Sequence, residues 1–466
     1  MSIHLTFYGA VKEVTGSCYL LRTETSRLLL ECGLHQGPAD IEQLNLQPFP
    51  FAVDGIDAVV VSHAHLDHSG LLPKLAAAGY DGPVYCTDMT RDLLKIMLLD
   101  AAHLQQRDIE WSNRRHRRAG EPLEEPLYTV EHVRQILGQC RPLPYHRRQR
   151  ITPDIELSYL DAGHILGSAH VDLSITDGGQ SRRLLFSGDI GNPQSVLMKD
   201  PEEPKQADVV LMEGTYGNRD HQSMDKTLEE FAGILAAAAD EGGNVLIPAF
   251  AVGRTQEVIY QLLLLRKQGR LPQQQVFLDS PMAIEVSELY LKNLETLNQS
   301  DVDALTDQGR LSLHDMLGFI RPTRTAEESM AINRITGGAV IIAGSGMCSG
   351  GRIRHHLKHN LWRRETRVVI VGFQARGTPG RRLVDGAERI SLFGEDIAVR
   401  AHVHTLGGYS AHAGRSDLLK WASAIGGKPR FYLVHGETEA LIALKTGLEQ
   451  SGARVKLPVF GESISV

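Results

Sequence analysis

The sequence predicts an α/β protein in which a parallel-sheet domain is inserted into a strand-rich one. Three observations carry this. Strand-like runs joined by short turns dominate the first part of the chain, helix and strand alternate strictly from about residue 225, and the strand-rich style returns after residue 396. The expected division is 1–212 and 396–466 for the two parts of the outer domain, and 213–395 for the insert.

Ile3–Phe7, Ser17–Arg22 and Arg27–Glu31 read as neighbouring strands, with turns at Gly9 and Glu24-Thr25. Ile56–Val61 and Val84–Thr87 bracket a helix that starts near Ser69. Residues 88–150 read as a helical, charged excursion on the surface. Ile155–Ala162, Ala169–Ile175, Arg183–Ser187 and Val209–Met212 are strands again. In the insert, Leu228, Phe231, Leu235 and Ala238 recur at helical spacing and stop at Gly242-Gly243. Asn244–Ile247, Gln275–Asp279, Gly338–Ala343 and Arg367–Gly372 read as buried strands, with helices over Arg254–Lys267 and Ala283–Leu297. That is the pattern of a parallel sheet with crossover helices. Ile397–Thr405 and Phe431–Val434 read as strands and Glu437–Gln450 as a helix.

Composition narrows the function classes. The chain has 466 residues, 42% apolar and 23% charged, an ordinary globular balance. It has no apolar run of ~18 residues, so no transmembrane helix is expected. Met1–Tyr8 alternates like a strand and lacks the basic and apolar regions of a signal peptide. Cys18, Cys32, Cys86, Cys140 and Cys348 are scattered and form no CxxC pair. The expectation is reduced thiols, a cytoplasmic protein and no thiolate zinc site. A net charge of −7 argues against nonspecific coating of nucleic acid, yet Asn113–Arg118 and His146–Arg150 are locally basic. Such runs are either solvated faces or contacts to a phosphate chain.

The densest chemistry lies in Ser62-His63-Ala64-His65-Leu66-Asp67-His68, between a core strand and a helix start. Residues two apart in an extended loop point the same way, so His63 and His65 can converge on one ion. Asp67 and His68 can serve a second. His164, Asp189 and His435 also sit at strand ends. Together these seven make enough ligands for two metals with one carboxylate shared.

The pattern His63-x-His65-x-Asp67-His68, then His164, Asp189 and His435, resembles the metallo-β-lactamase fold, and the insert narrows the resemblance to the β-CASP nucleases. Glu213 in Met212-Glu213-Gly214-Thr215-Tyr216, His412 in Gly408-Tyr409-Ser410-Ala411-His412, and His435-Gly436-Glu437 match that family's additional acidic and histidine motifs. Pro248–Arg254, Ser345-Gly346-Met347 and Gly372–Thr378 also look typical. The resemblance covers essentially the whole chain and is closest to prokaryotic relatives of the pre-mRNA 3′-end cleavage endonuclease. One residue departs: Glu31 stands where the family usually has an Asp that braces the metal loop.

The resemblance implies an αββα sandwich with an inserted β-CASP domain. It implies two Zn²⁺ ions, one on His63, His65 and His164, the other on Asp67, His68 and His435, with Asp189 bridging. It implies hydrolysis of single-stranded RNA by a dimetal-activated hydroxide, endonucleolytic or from the 5′ end, with Asp67 and Asp189 among the catalytic residues. His412 is the expected general acid and Glu213 its holder. Ser345, Gly346, Met347, Arg352, Arg376, Gly377 and Thr378 are expected to contact substrate phosphates. A DNA nuclease of the same family and a catalytically silent RNA-binding scaffold stay open, as does a homodimer. No membrane partner is expected.

Overall fold

A computed structural model describes residues 3–305 and 318–466, so Met1 and Ser2 of the expected first run lie outside them. The chain forms two compact units. Unit 1 contains residues 1–193, 200–220 and 412–466; unit 2 contains 194–199 and 221–411.

Unit 1 is built on two seven-stranded sheets. The first holds β1 (His4–Phe7), β2 (Tyr19–Arg22), β3 (Arg27–Leu30), β4 (Ala58–Val60), β5 (Val84–Cys86) and β6 (Cys140–Pro142), with β22 (Ser463–Ser465) beside β1. The second runs in the order β21 (Arg454–Lys456), β20 (Arg430–Val434), β11 (Val209–Glu213), β10 (Gln180–Phe186), β9 (Ala169–Asp177), β8 (Ile155–Asp161) and β7 (Gln149–Arg150). Alternation along the strands decides what lies between them. Leu5, Phe7, Leu28, Leu30 and Val60 share one apolar cluster with Leu157, Val171, Leu184, Leu211 and Val434 from the second sheet. The opposite face of the second sheet, Leu185, Val210, Met212 and Leu433, packs with Leu418, Trp421, Leu441 and Leu444 of helices Arg415–Ala424 and Thr438–Gln450. Leu29 and Val59, out of phase with the inner face, are also buried, so both faces of the first sheet are covered. The excursion after β5 is a 32-residue helix, Asp88–Ala119, and a second helix, Val130–Gln139.

Unit 2 holds a six-stranded, all-parallel sheet in the order β14 (Ile320–Pro322), β13 (Gln275–Leu278), β15 (Ala339–Ala343), β12 (Val245–Pro248), β16 (Arg367–Ile370) and β19 (His402–Thr405). Apolar clusters cover both faces. β17 (Arg389–Leu392) and β18 (Glu395–Ala398) form a separate hairpin.

The observed division differs from the expected one. The units meet at 220/221 and 411/412, not 212/213 and 395/396. Two causes are visible. The run 397–405, expected as one outer-domain strand, is split: its start pairs with β17, and β19 extends the parallel sheet with His402 opposite Arg367. Residues 214–220 stay with unit 1, where the Gly214 amide donates to the His435 carbonyl.

Candidate metal centre

Unit 1 gathers nine of the expected residues, most of them at or just after the ends of its strands. The loop after β4 supplies His63 and His65, and the short helix Leu66–Ser69 supplies Asp67 and His68. The loop is pinned from below: the amides of Ser17, Cys32 and Leu34 donate to the carbonyls of Asp67, His68 and Leu66. His164 lies between β8 and β9, where its amide donates to Ser168 Oγ at 3.0 Å. Asp189 follows β10, Glu213 ends β11 and His435 follows β20. Glu31 and His435 both have positive φ, 62° and 49°, where their strands end and turn toward the site.

The donor atoms fall into two sets that meet at one carboxylate. His63 Nε2 lies 3.1 Å from His65 Nδ1, and His164 Nε2 lies 3.2 Å from the same atom. Asp189 Oδ2 is 3.4 Å from both His63 Nε2 and His164 Nε2. In the other set His68 Nε2 is 3.1 Å from His435 Nε2, which is 3.4 Å from Asp67 Oδ2. Asp189 Oδ1 is 3.2 Å from His68 Nε2.

These residues fit metal cations. Burial pushes the His63 imidazolium pKa down to about 3 and that of His65 to about 4, and it drives His164 well below the usual value. Their rings are therefore neutral, with lone pairs to give. Burial alone would raise Asp67 and Asp189, yet the surrounding histidines hold both carboxyls below the usual range. Asp189 Oδ1 is buried and has no hydrogen-bond partner among the described residues, an arrangement that costs free energy unless a cation takes it up.

Glu31 orients the histidines behind this centre. Its Oε1 accepts the Ser62 amide at 2.6 Å; its Oε2 accepts Ser62 Oγ at 3.0 Å and His68 Nδ1 at 2.6 Å. Ser62 Oγ in turn takes His63 Nδ1 at 3.0 Å. One carboxylate thus keeps the Nδ1 protons of two rings and turns both Nε2 atoms inward. Thr215 Oγ1 does the same for His435 Nδ1 at 3.1 Å, a contact no sequence signal announced. Glu31→Gln replaces one acceptor oxygen by a donor. It should weaken metal binding about 10–100-fold with the fold retained, as read by competition against a chelator. Unchanged affinity would remove Glu31 from this role.

Beside the centre, His412 Nδ1 lies 3.1 Å from Glu213 Oε1 and 3.9 Å from Asp189 Oδ2. Glu213 is fixed by the Ile190 amide at 2.8 Å, the Thr215 amide at 3.1 Å and its own amide to Ser187 Oγ at 3.0 Å. Burial disfavours charge on His412, but Glu213 and Asp189 outweigh it and raise its pKa to about 9.

Unit 2 contains the remaining seven residues, and they differ in availability. Ser345 Oγ accepts the Gly350 amide at 3.1 Å, and the Gly346 carbonyl accepts Gln374 Nε2 at 2.8 Å. The Gly380 amide donates to the Met347 carbonyl, so the two expected loops lie together. Thr378 caps the helix Pro379–Val384. Arg376 and Gly377 are exposed. Arg352 departs from expectation. Its guanidinium is spent on Asp279 Oδ1 at 2.7 Å and the carbonyls of Thr323 and Arg324 at 2.9 and 2.8 Å. It thereby braces the fold. Asp279 also accepts Thr323 Oγ1, Ser329 Oγ at 2.6 Å and His356 Nε2 at 2.6 Å. Burial would raise this carboxyl, but those four donors hold it below the usual range. Its contribution is present above the ordinary aspartate value of about 4 and is lost as pH falls toward the depressed one. Asp279→Asn should cost ~3–5 kcal/mol at pH 7, with the gap to wild type narrowing below about pH 4. Urea unfolding at several pH values measures this; a pH-independent gap would contradict it.

Residues 11–237 match the Metallo-beta-lactamase superfamily, 255–383 the Beta-Casp domain, and 396–458 the Zn-dependent metallo-hydrolase RNA specificity domain. Ribonuclease TTHA0252 of Thermus thermophilus is 41% identical over 459 residues, spanning 98% of this chain and 99% of that protein. The chain belongs to the β-CASP family of metallo-β-lactamase-fold ribonucleases. Transcription termination factor FttA of Methanothermobacter thermautotrophicus is 32% identical, covering 99% of this β-CASP chain and 71% of its own. FttA of Methanosarcina mazei is also 32% identical, with shares of 96% and 69%. The RNA specificity match begins at 396, inside unit 2, so the family's last segment spans the junction at 411/412 of this β-CASP protein. Among the described residues no helix is long and apolar enough to cross a membrane.

Proposed function

We propose that this protein hydrolyses phosphodiester bonds of single-stranded RNA, chiefly by internal cleavage, at the centre around Asp189. The observation that carries the reading is the meeting of two all-nitrogen-and-oxygen donor sets at one buried carboxylate. Such sets suit zinc. His63, His65 and His164 would hold one ion, Asp67, His68 and His435 the other, and Asp189 would serve both. When bound, a pair of zinc ions supplies Lewis acidity toward the phosphoryl oxygens and activates water.

The chain's own residues do the rest. Glu31 and Thr215 hold ring tautomers so that lone pairs face the centre. Glu213 accepts His412 Nδ1, fixing the ring and favouring its charged form. His412 Nε2 is then the atom that protonates the departing 3′ oxygen, a poor leaving group as the bare alkoxide. The exposed Arg376-Gly377 turn and the backbone of the Ser345–Met347 loop are the surfaces in unit 2 suited to phosphate. The names of its relatives, a ribonuclease and transcription termination factors, support RNA over DNA.

Internally labelled single-stranded RNA and DNA of matched sequence test this with zinc-loaded and chelator-stripped protein. Zinc-dependent cutting of RNA into internal fragments is the expected result. Mononucleotides alone would make the enzyme an exonuclease, DNA-only cutting would move it to the DNA nucleases, and silence on both would leave a scaffold.

A further inference from the structure

The helix Asp88–Ala119 carries a surface that the centre does not use. Its first turn is tied to the centre's own loop: Thr87 Oγ1 and Thr90 Oγ1 donate to the Gly167 carbonyl at 2.7 and 2.8 Å, three residues from His164. At 1.5 Å per residue, position 111 lies roughly 35 Å along the helix from there. At about 100° per residue, Leu104, Arg107, Trp111, Arg114, Arg115 and Arg118 fall within an arc of about 100°. All six are exposed, Trp111 to 63%.

The remainder of the local structure keeps this face open. Asn113 Nδ2 donates to the Glu124 carbonyl at 2.9 Å, and the Glu124 amide donates to Asn113 Oδ1 at 2.8 Å. His116 lies 3.6 and 3.8 Å from Glu121 and Glu124. Positions 113 and 116 are on the opposite side of the helix, so the returning chain occupies that side and its acids neutralise it. The flanking Glu110 accepts Gln106 at 3.1 Å. Arg107, Arg114 and Arg118 have no ion pair among the described residues, and the Arg115 guanidinium sits over the Trp111 ring at 5.2 Å.

We propose that this face is a second binding site for single-stranded RNA, holding the strand about ten nucleotides from the scissile bond at a stacked spacing of ~3.4 Å. The proposal rests on the ribonuclease reading above. The chemistry selects the occupant. Arginines with no internal acid partner suit phosphates, in a chain whose net charge is −7. A lone exposed indole beside them is a platform on which any base can stack. A protein partner would call for a broader apolar patch, and only Leu104 accompanies Trp111.

Full-length wild type, Trp111→Ala and the pair Arg114→Gln with Arg118→Gln are compared on 30-nucleotide and 6-nucleotide RNA of one repeating sequence. Wild type should show a lower KM on the long RNA. Trp111→Ala should erase most of that advantage, about 5- to 50-fold, through KM and not kcat. Anisotropy of labelled 30-mer in EDTA gives a readout without turnover. There the arginine pair should flatten the log–log salt slope by about 1.4. Equal binding of the 30-mer by wild type and Trp111→Ala, or an equal length advantage, overturns the proposal. Loss of self-association in Trp111→Ala would assign the face to a second copy and also overturn it. A wild type that binds the 30-mer and cuts neither RNA sinks the ribonuclease reading while the Trp111 effect on binding still supports the second site.

Discussion

Asp189→Ala should abolish RNA cleavage and bound metal together. Its Oδ2 faces His63 and His164, and its Oδ1 faces His68, so each oxygen belongs to a different donor set. Alanine removes one ligand from both sets at once. The loss in kcat/KM should exceed the ~10–100-fold typical of residues that only brace a ligand. Metal content by elemental analysis and cleavage of labelled RNA are measured on one preparation, with thermal unfolding to confirm folding. A folded variant that keeps two ions and cuts at the wild-type rate would end the dimetal reading.

His412→Ala should separate chemistry from metal binding. The ring is held through Nδ1 by Glu213 and is not one of the seven proposed ligands, so its removal should leave both proposed donor sets in place. We expect kcat to fall by ~10²–10⁴-fold, the usual share of a positioned proton donor, with metal content unchanged. The alkaline limb of the kcat profile, where a raised imidazole loses its proton, should vanish in the variant. Glu213→Gln should give a smaller loss and shift that limb to lower pH, because it takes away the charge that raises His412. If His412→Ala sheds metal, or keeps the limb, the ring is structural and the proton comes from elsewhere.

Much of this could be read in the chain before any coordinates. The His63–His68 loop was legible because four candidate ligand residues, three histidines and an aspartate, crowd six positions after a core strand, and strand-end His164, Asp189 and His435 extended the set. The helix 224–240 was legible from periodicity and from the glycines that follow it, and 254–267 from its place in the helix–strand alternation. What failed was pairing. Nothing in Ile397–Thr405 says that its two ends join different sheets, since strand propensity is blind to the partner. The internal partners of Arg352 were hidden for a related reason. An arginine after a glycine loop looks like an anion contact until Asp279, 73 residues earlier, is seen to claim it. Buried carboxylate hubs form across sequence distance and leave no local periodicity.

The parallel pairing of β11 with β20 has a consequence for the protein's synthesis. Glu213 is in register with Val434, the residue before His435, although more than two hundred residues separate them. A ribosome must therefore finish unit 2 before β11 gains the neighbour that delivers the last histidine. Until then β11 is a bare sheet edge, open to mispairing with other chains. A nascent chain holding every proposed ligand except His435 has only part of its second proposed donor set. On the proposed donor sets, a fragment that ends before His435 should therefore lack nuclease activity, which cleavage of labelled RNA by a chain truncated after Val434 would check.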